Sequence, residues 1–163
     1  MSYGTLAASK TYHADRGNAA WAAGDDADLT TALLRGAEYV DGLYRGAFGG
    51  YKVGARSQVR EWPRYNAIDR AGDAISSDTA PDEVIYAAYE AALLELATPG
   101  TLSPVVTVAD QVKSERVEGA VTVEYAGVSG VNAARPVVTK IDAVIAPVLT
   151  SSGGSFIGSI TRG

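Results

Sequence analysis

The spacing of apolar positions in the first hundred residues predicts a mainly helical protein. The clearest predicted helix runs from Asp26 to Tyr44, and its apolar side chains recur at steps of three and four residues: Leu29, Leu33, Ala37, Val40 and Tyr44. Asp25 or Asp26 is its candidate cap, because a carboxylate can accept the free N–H groups of a first turn. A shorter helix is predicted from Leu6 to about Asp15, followed by Trp21 as a candidate core residue.

A second long helix is predicted from Pro81 to about Ala97. Proline suits the first helical position, and the carboxylates of Asp82 and Glu83 complement the positive end of the helix dipole. The sequence Thr98-Pro99-Gly100 ends it. Alanine and leucine occur all around this helix, so we expect it to be buried on more than one side and to lie at the centre of the fold.

The segment 51–80 combines a helical pattern with a helix breaker. Four of its basic residues are spaced by fours and would share one face of a helix: Lys52, Arg56, Arg60 and Arg64. Pro63 disfavours helical geometry at Trp62 and lacks a backbone donor. We therefore expect a short helix around 55–61, an extended Trp-Pro-Arg segment, and a polar loop over 69–80.

After Pro104 the pattern changes to alternation, which predicts a β-hairpin near residues 105–126 that turns at Glu118-Gly119. A loop over 127–135 and a last short helix from Pro136 to Pro147 follow. Residues 151–163 resemble a flexible linker that carries apolar side chains. The predicted fold class is mainly α: a small helical bundle over residues 1–150 with a β-hairpin insertion, and an extended C-terminal tail.

The charge is unevenly distributed along the 163 residues. The net charge is −5, which argues against a protein that coats nucleic acid over its whole surface. Residues 45–70 nevertheless hold six basic groups against two acidic ones, a local net charge of +4. The chain has no cysteine, so disulfides and thiolate metal sites are excluded. No secretory signal and no membrane-spanning stretch are evident, and we expect no membrane partner.

No pattern of residues supports catalysis, so we expect that the protein is not an enzyme and uses no cofactor. His13 is the sole histidine, and no neighbouring nucleophile or second acid–base group accompanies it, so we interpret it as a surface or helix-packing residue. Asp25, Asp26 and Asp28 lack the frame of a calcium loop, and helix capping explains them better. No phosphate-binding loop and no nucleophile elbow is present.

The basic segment has two interpretations. Its arginines interleave with Phe48, Tyr51, Trp62 and Tyr65, a mixture found in proteins that stack single-stranded bases on aromatic rings. Alternatively, Trp62 belongs to the core and the arginines make protein contacts, which we prefer because guanidinium groups are enriched at interfaces. In the tail, apolar anchors favour docking on another subunit over simple disorder. The interface candidates are Arg56, Arg60, Arg64, Phe156, Ile157, Ile160 and Arg162.

Several short motifs occur in the same order as in the head–tail adaptor proteins of tailed phages, a group often labelled DnaT-like single-stranded-DNA-binding proteins. The chain resembles that family over roughly residues 3–150. The motifs are Tyr12-His13 with Gly17 and Trp21, Tyr39-Val40-Asp41, Gly54 with Arg56 and Gln58, Trp62-Pro63-Arg64, Pro81 with Val84, Ala87 and Glu90, Val112 to Val117 before Val123-Glu124-Tyr125, and Ile141-Asp142-Ala143 with Ala146-Pro147.

This resemblance implies a structural protein of the virion neck, made in the host cytoplasm. It would form a ring, generally of twelve copies, beneath the portal protein and would extend the channel for the packaged DNA towards tail or stopper proteins. Arg56, Arg60 and Arg64 would be candidates for subunit or channel contacts, and the segment from Phe156 to Arg162 for portal docking. The alternative hypothesis is a single-stranded nucleic-acid-binding module.

Overall fold

A computed structural model describes residues 1–103, 114–117, 121–124 and 138–150 of the chain. Within these ranges the protein is mainly helical. The helices are α1 (Leu6–Ala14), α2 (Ala19–Ala22), α3 (Asp26–Tyr44), α4 (Asp82–Ala97) and α5 (Thr139–Ile145). Short 3-10 turns lie at Arg45–Ala47, Ala55–Ser57 and Ala146–Val148. Two antiparallel strand pairs complete the described structure: β1 (Tyr51–Lys52) pairs with β2 (Arg64–Tyr65), and β3 (Ser114–Val117) pairs with β4 (Val121–Glu124).

The two predicted long helices form the centre of the structure and pack against each other. The Asp25 carboxylate accepts the Ala27 N–H at 2.8 Å, so the predicted cap of α3 is confirmed at Asp25. Close approach of the helices depends on Gly36, because a β-carbon there would lie 2.4 Å from the Ala88 carbonyl oxygen of α4. Pro81 precedes the first turn of α4 and does not belong to it, a shift of one residue from the prediction.

Apolar side chains fill two adjoining clusters of the core. Trp21 and Tyr12 pack with the first half of α3 and with α4. Ile141 and Ile145 of α5 pack with the second half of α3, with α4 and with the buried Trp62. The predicted core positions of Trp21 and Trp62 are therefore confirmed, at 0% and 2% exposure.

The predicted hairpin is confirmed over the described strands, with Ser114 opposite Glu124 and Val117 opposite Val121. Its predicted turn at Glu118-Gly119 and the rest of the predicted range 105–126 lie outside the described residues. The predicted loop at 127–135 and the tail at 151–163 lie outside the described residues, as does Pro136. The last helix begins at Thr139, and Pro147 lies within the 3-10 turn that follows it. No helix among the described residues is long and apolar enough to cross a membrane.

The predicted helix around 55–61 is wrong. Only Ala55–Ser57 turn, as a 3-10 helix, and the chain then bends through residues 59–61 before it reaches β2. The Gln58 side chain explains this, because it accepts the Gly54 N–H at 2.8 Å and donates to the carbonyl oxygens of Arg60 and Pro63 at 3.0 and 2.9 Å. In a helix these backbone groups would bond to other backbone groups, whereas here the Gln58 side chain satisfies them in a loop.

Candidate functional site

The segment 51–65 folds back on itself and presents two tyrosines side by side. Strand β1 pairs with β2 so that Tyr51 lies opposite Tyr65 and Lys52 opposite Arg64. The two phenol rings lie 5.6 Å apart at an angle of 34°. Tyr51 is 65% exposed and Tyr65 45% exposed, which is unusual for large rings in contact. The pair forms an accessible aromatic surface.

A shallow cleft of about 590 Å³ lies beside this pair, and we call it the tyrosine cleft. It is lined by Tyr51, Lys52, Ala55, Arg56, Glu61, Arg64 and Tyr65. Its volume falls within the range of pockets that hold small ligands. Of the residues that the structure describes, three with cationic side chains and one with a carboxylate line it, so this lining is positive in an acidic protein.

Arg64 is buried behind the cleft and connects the segments that form it. Its guanidinium donates to the carbonyl oxygens of Gly49 and Gly50 at 2.6 and 2.8 Å. It also pairs with the Glu61 carboxylate at 3.1 Å. Gly50 has a φ of 65° and no room for a β-carbon, which would lie 2.3 Å from the Tyr65 carbonyl oxygen. The buried Arg64 therefore stabilises the close approach of two loop segments, with most of its donors used internally.

Arg60 is buried as well, against α3 and the start of the chain. Its guanidinium donates to the Met1 carbonyl oxygen at 2.6 Å and to the Asp41 carboxylate of α3 at 3.3 Å. The same carboxylate accepts a hydrogen bond from the Tyr3 hydroxyl, and the Tyr3 hydroxyl accepts the Trp62 N–H at 3.2 Å. The chain start, α3 and the loop are thus joined by one polar network.

Burial shapes the titration of this network. It raises the pKa of Asp41, and the hydrogen bonds from Tyr3 and Arg60 offset part of the rise. Burial also raises the pKa of Tyr3, as does its hydrogen bond to Asp41. The Tyr3 hydroxyl consequently stays protonated and remains a donor at neutral pH.

The three arginines proposed for an interface have different environments. Arg56 is exposed at the rim of the tyrosine cleft, whereas Arg60 and Arg64 are 7% and 8% exposed and bonded within the chain. They do not share a helix face, because the helix that would align them is absent. The tail candidates Phe156, Ile157, Ile160 and Arg162 lie outside the described residues. Sequence reasoning noted Tyr51 and Tyr65 as aromatic residues without nominating them, and it missed Glu61.

A second polar cluster lies between α1, α4 and α5. The Glu90 carboxylate accepts the Tyr12 hydroxyl at 2.7 Å and pairs with Lys140 at 2.8 Å. His13 is fully buried, with its ring 4.4 Å from that of Trp21 and with Nδ1 2.9 Å from the Asn18 amide. Burial lowers the pKa of His13, so the ring is neutral at pH 7. Of the two roles expected for His13, surface or helix packing, the structure shows the packing role.

Exposed apolar side chains are concentrated on the loop that builds the cleft. Of the large apolar residues exposed in the described part of the chain, five belong to residues 51–68, and we call them the loop patch: Tyr51, Val53, Val59, Tyr65 and Ile68. Scattered apolar residues are normal on a surface, whereas several exposed on one short segment make that segment a candidate contact site. The loop patch and the tyrosine cleft are therefore the part of the described surface best suited to bind a partner.

The chain matches, over residues 1–163, the family described as "Putative DnaT-like ssDNA binding protein", and it belongs to that family. Comparison with curated proteins and with solved structures found no match.

Proposed function

We propose that the protein binds single-stranded nucleic acid without catalysing a reaction, with bases on Tyr51 and Tyr65 and phosphates at Lys52 and Arg56. The exposed, adjacent tyrosine rings carry this proposal. Bases of a single strand are free to stack on aromatic side chains, whereas the bases of a duplex are already stacked on each other. The family description supports the same ligand class.

The charges of the cleft predict weak electrostatic binding. Lys52 and Arg56 are its cations best placed to meet a phosphate, because the donors of Arg64 are used within the chain. Two phosphate contacts correspond to a slope of about −1.4 in a plot of log affinity against log salt concentration for a single strand. Stacking should therefore supply most of the affinity.

The test is the binding of a fluorescently labelled oligothymidine, followed by anisotropy at several salt concentrations. Tyr51→Ala and Tyr65→Ala should each weaken binding by about five- to a hundredfold, because stacking of one base contributes about 1–3 kcal/mol. Tyr51→Phe should retain most of the affinity, since the ring remains. Val59→Ala is the matched control, because Val59 is exposed on the same loop but does not line the cleft. Unchanged binding in both alanine variants would refute the proposal.

A second candidate function is the structural head–tail adaptor of a tailed phage, located in the virion neck. The loop patch favours it, because Val53, Val59 and Ile68 are exposed apolar residues of the kind that pack at protein interfaces. In this proposal, copies of the chain form a ring, of about twelve by the family resemblance, that meets the portal protein and tail or stopper proteins around the packaged DNA. The apolar residues Phe156, Ile157 and Ile160 would dock on the portal.

Electron microscopy of the protein mixed with portal complexes separates the two functions. An adaptor should give rings on the portal, and a chain truncated after Thr150 should stay folded but fail to dock. Val59→Asp should also reduce ring formation, whereas Tyr51→Phe should not. A protein that stays monomeric beside the portal at every concentration would contradict the adaptor function.

A further inference from the structure

Among the described residues, Glu61 is the one acidic residue whose carboxylate lines the tyrosine cleft. Its Oε2 accepts a hydrogen bond from the Arg64 guanidinium at 3.1 Å, and its Oε1 lies 3.8 Å from the Lys52 ammonium nitrogen. The second distance is that of an ion pair without a hydrogen bond. No hydrogen bond from the described residues reaches Oε1, so this atom can still accept one from a ligand.

The position of Glu61 is held from both sides. Its N–H donates to the Asp41 carboxylate at 3.4 Å, and the next N–H, of Trp62, donates to the Tyr3 hydroxyl at 3.2 Å. The side chain is 16% exposed and is held in place by Arg64. A carboxylate fixed in this way presents its free oxygen at a constant place beside the rings, as a recognition group must.

A carboxylate beside a stacking surface discriminates among bases. It repels phosphate oxygens and base carbonyl groups, and it accepts strong hydrogen bonds from N–H donors. Guanine presents two adjacent donors, N1–H and the N2 amino group. Thymine and uracil present one N–H between two carbonyl oxygens. A carboxylate therefore fits the pairing edge of guanine and opposes that of thymine.

We infer that Glu61 makes the tyrosine cleft favour guanine over thymine in a single strand. This inference rests on the proposed nucleic-acid binding and adds the base that the cleft recognises. A charge-assisted hydrogen bond from the base edge to Oε1 gives discrimination of about fivefold or more. Glu61 then acts by contact with the base, while Tyr51 and Tyr65 supply affinity for any base.

The experiment uses the full chain and three labelled 20-nucleotide probes. One is all thymidine, one has guanine at every fourth position, and one has inosine at those positions, which lacks the N2 amino group. Isolated guanines also avoid four-stranded structures. We expect the guanine probe to bind at least about fivefold more tightly than the thymidine probe, with the inosine probe between them.

Variants assign the selectivity to a residue. Glu61→Gln should bring the guanine-to-thymidine affinity ratio close to one. Glu38→Gln is the matched control. Glu38 belongs to α3 and pairs at 3.7 Å with Arg60, which neighbours Glu61, but it does not line the cleft. The wild-type comparison of guanine with inosine needs no variant, so it stands even if Glu61→Gln folds poorly.

Each outcome decides a different point. Equal binding of all three probes by the wild type, weakened by Tyr51→Ala, would overturn the guanine selectivity and leave nucleic-acid binding intact. A guanine preference that survives in Glu61→Gln would overturn the role of this residue. No binding of any probe would refute the proposed function and, with it, this inference.

Discussion

Two glycines of α3 should respond oppositely to the same substitution. Gly36 faces α4, where an added β-carbon would lie 2.4 Å from the Ala88 carbonyl oxygen and 2.7 Å from the Ala92 nitrogen. Gly42 lies two turns further along, exposed, with nothing within 4 Å of such a carbon. Alanine at either position is a better helix former than glycine, so the difference between the variants isolates the packing of the two helices.

The expected magnitudes follow from these contacts. Both atoms near Gly36 belong to the backbone of α4, so they cannot rotate away and the helices would have to separate. Such overpacking costs about 3 kcal/mol at the upper end of its usual range, offset by about 1 kcal/mol of helix propensity. Gly36→Ala should therefore lower the free energy of unfolding by about 2 kcal/mol. Gly42→Ala should raise it by about 1 kcal/mol.

Urea unfolding followed by tryptophan fluorescence measures both changes. Trp21 and Trp62 are buried in different clusters of the core, so their emission reports unfolding of both. The midpoint should move in opposite directions for the two variants, with similar slopes. A Gly36→Ala protein as stable as the wild type would refute the tight contact between α3 and α4. Destabilisation by Gly42→Ala would refute the reasoning from propensity.

Three further predictions concern buried polar groups. Asp41→Ala should lower the unfolding free energy by about 3–5 kcal/mol in a urea titration, because it leaves a buried arginine poorly paired, whereas Glu38→Gln should change it by less than about 1 kcal/mol. Glu90→Ala should cost about 1–3 kcal/mol, because the buried Tyr12 hydroxyl loses its acceptor. His13 has a lower pKa in the folded protein than in the unfolded chain, so as the pH falls the unfolded chain takes up the proton more readily. The free energy of unfolding should therefore fall as the pH drops below about 6.5. A His13→Gln variant without that loss, compared by thermal unfolding at pH 7 and 5.5, checks the assignment.

The sequence predicts those elements whose signals are local. The apolar period of α3, its cap at Asp25, the start of α4 near Pro81 and the alternation around the β3–β4 hairpin all lie within the elements they specify. The spacing of apolar residues indicates which face of a helix is apolar. Burial of that face contributes the largest favourable free energy on folding. Trp21 and Trp62 could be assigned to the core on a different ground, because a small helical domain buries its large aromatic rings.

The candidate site depends on contacts that sequence spacing does not contain. Arg60 meets Asp41 and the Met1 carbonyl oxygen, and Arg64 meets the carbonyl oxygens of Gly49 and Gly50, all from distant parts of the chain. These partners turn two of the three proposed interface arginines into internal ones. Their spacing by fours, which favoured a helix, has no counterpart in the structure.

Charge and aromatic content along the chain thus identified the region 45–70, while the tertiary structure decided which of its side chains can meet a ligand. A charged side chain can be buried when a partner lies within hydrogen-bond distance, and otherwise it stays in solvent, where a ligand can meet it. That reach is set by how the loop lies on α3 and on the start of the chain. Tyr51, Tyr65 and Glu61 became the candidate recognition groups because the strand pair and the buried arginines bring them to one cleft.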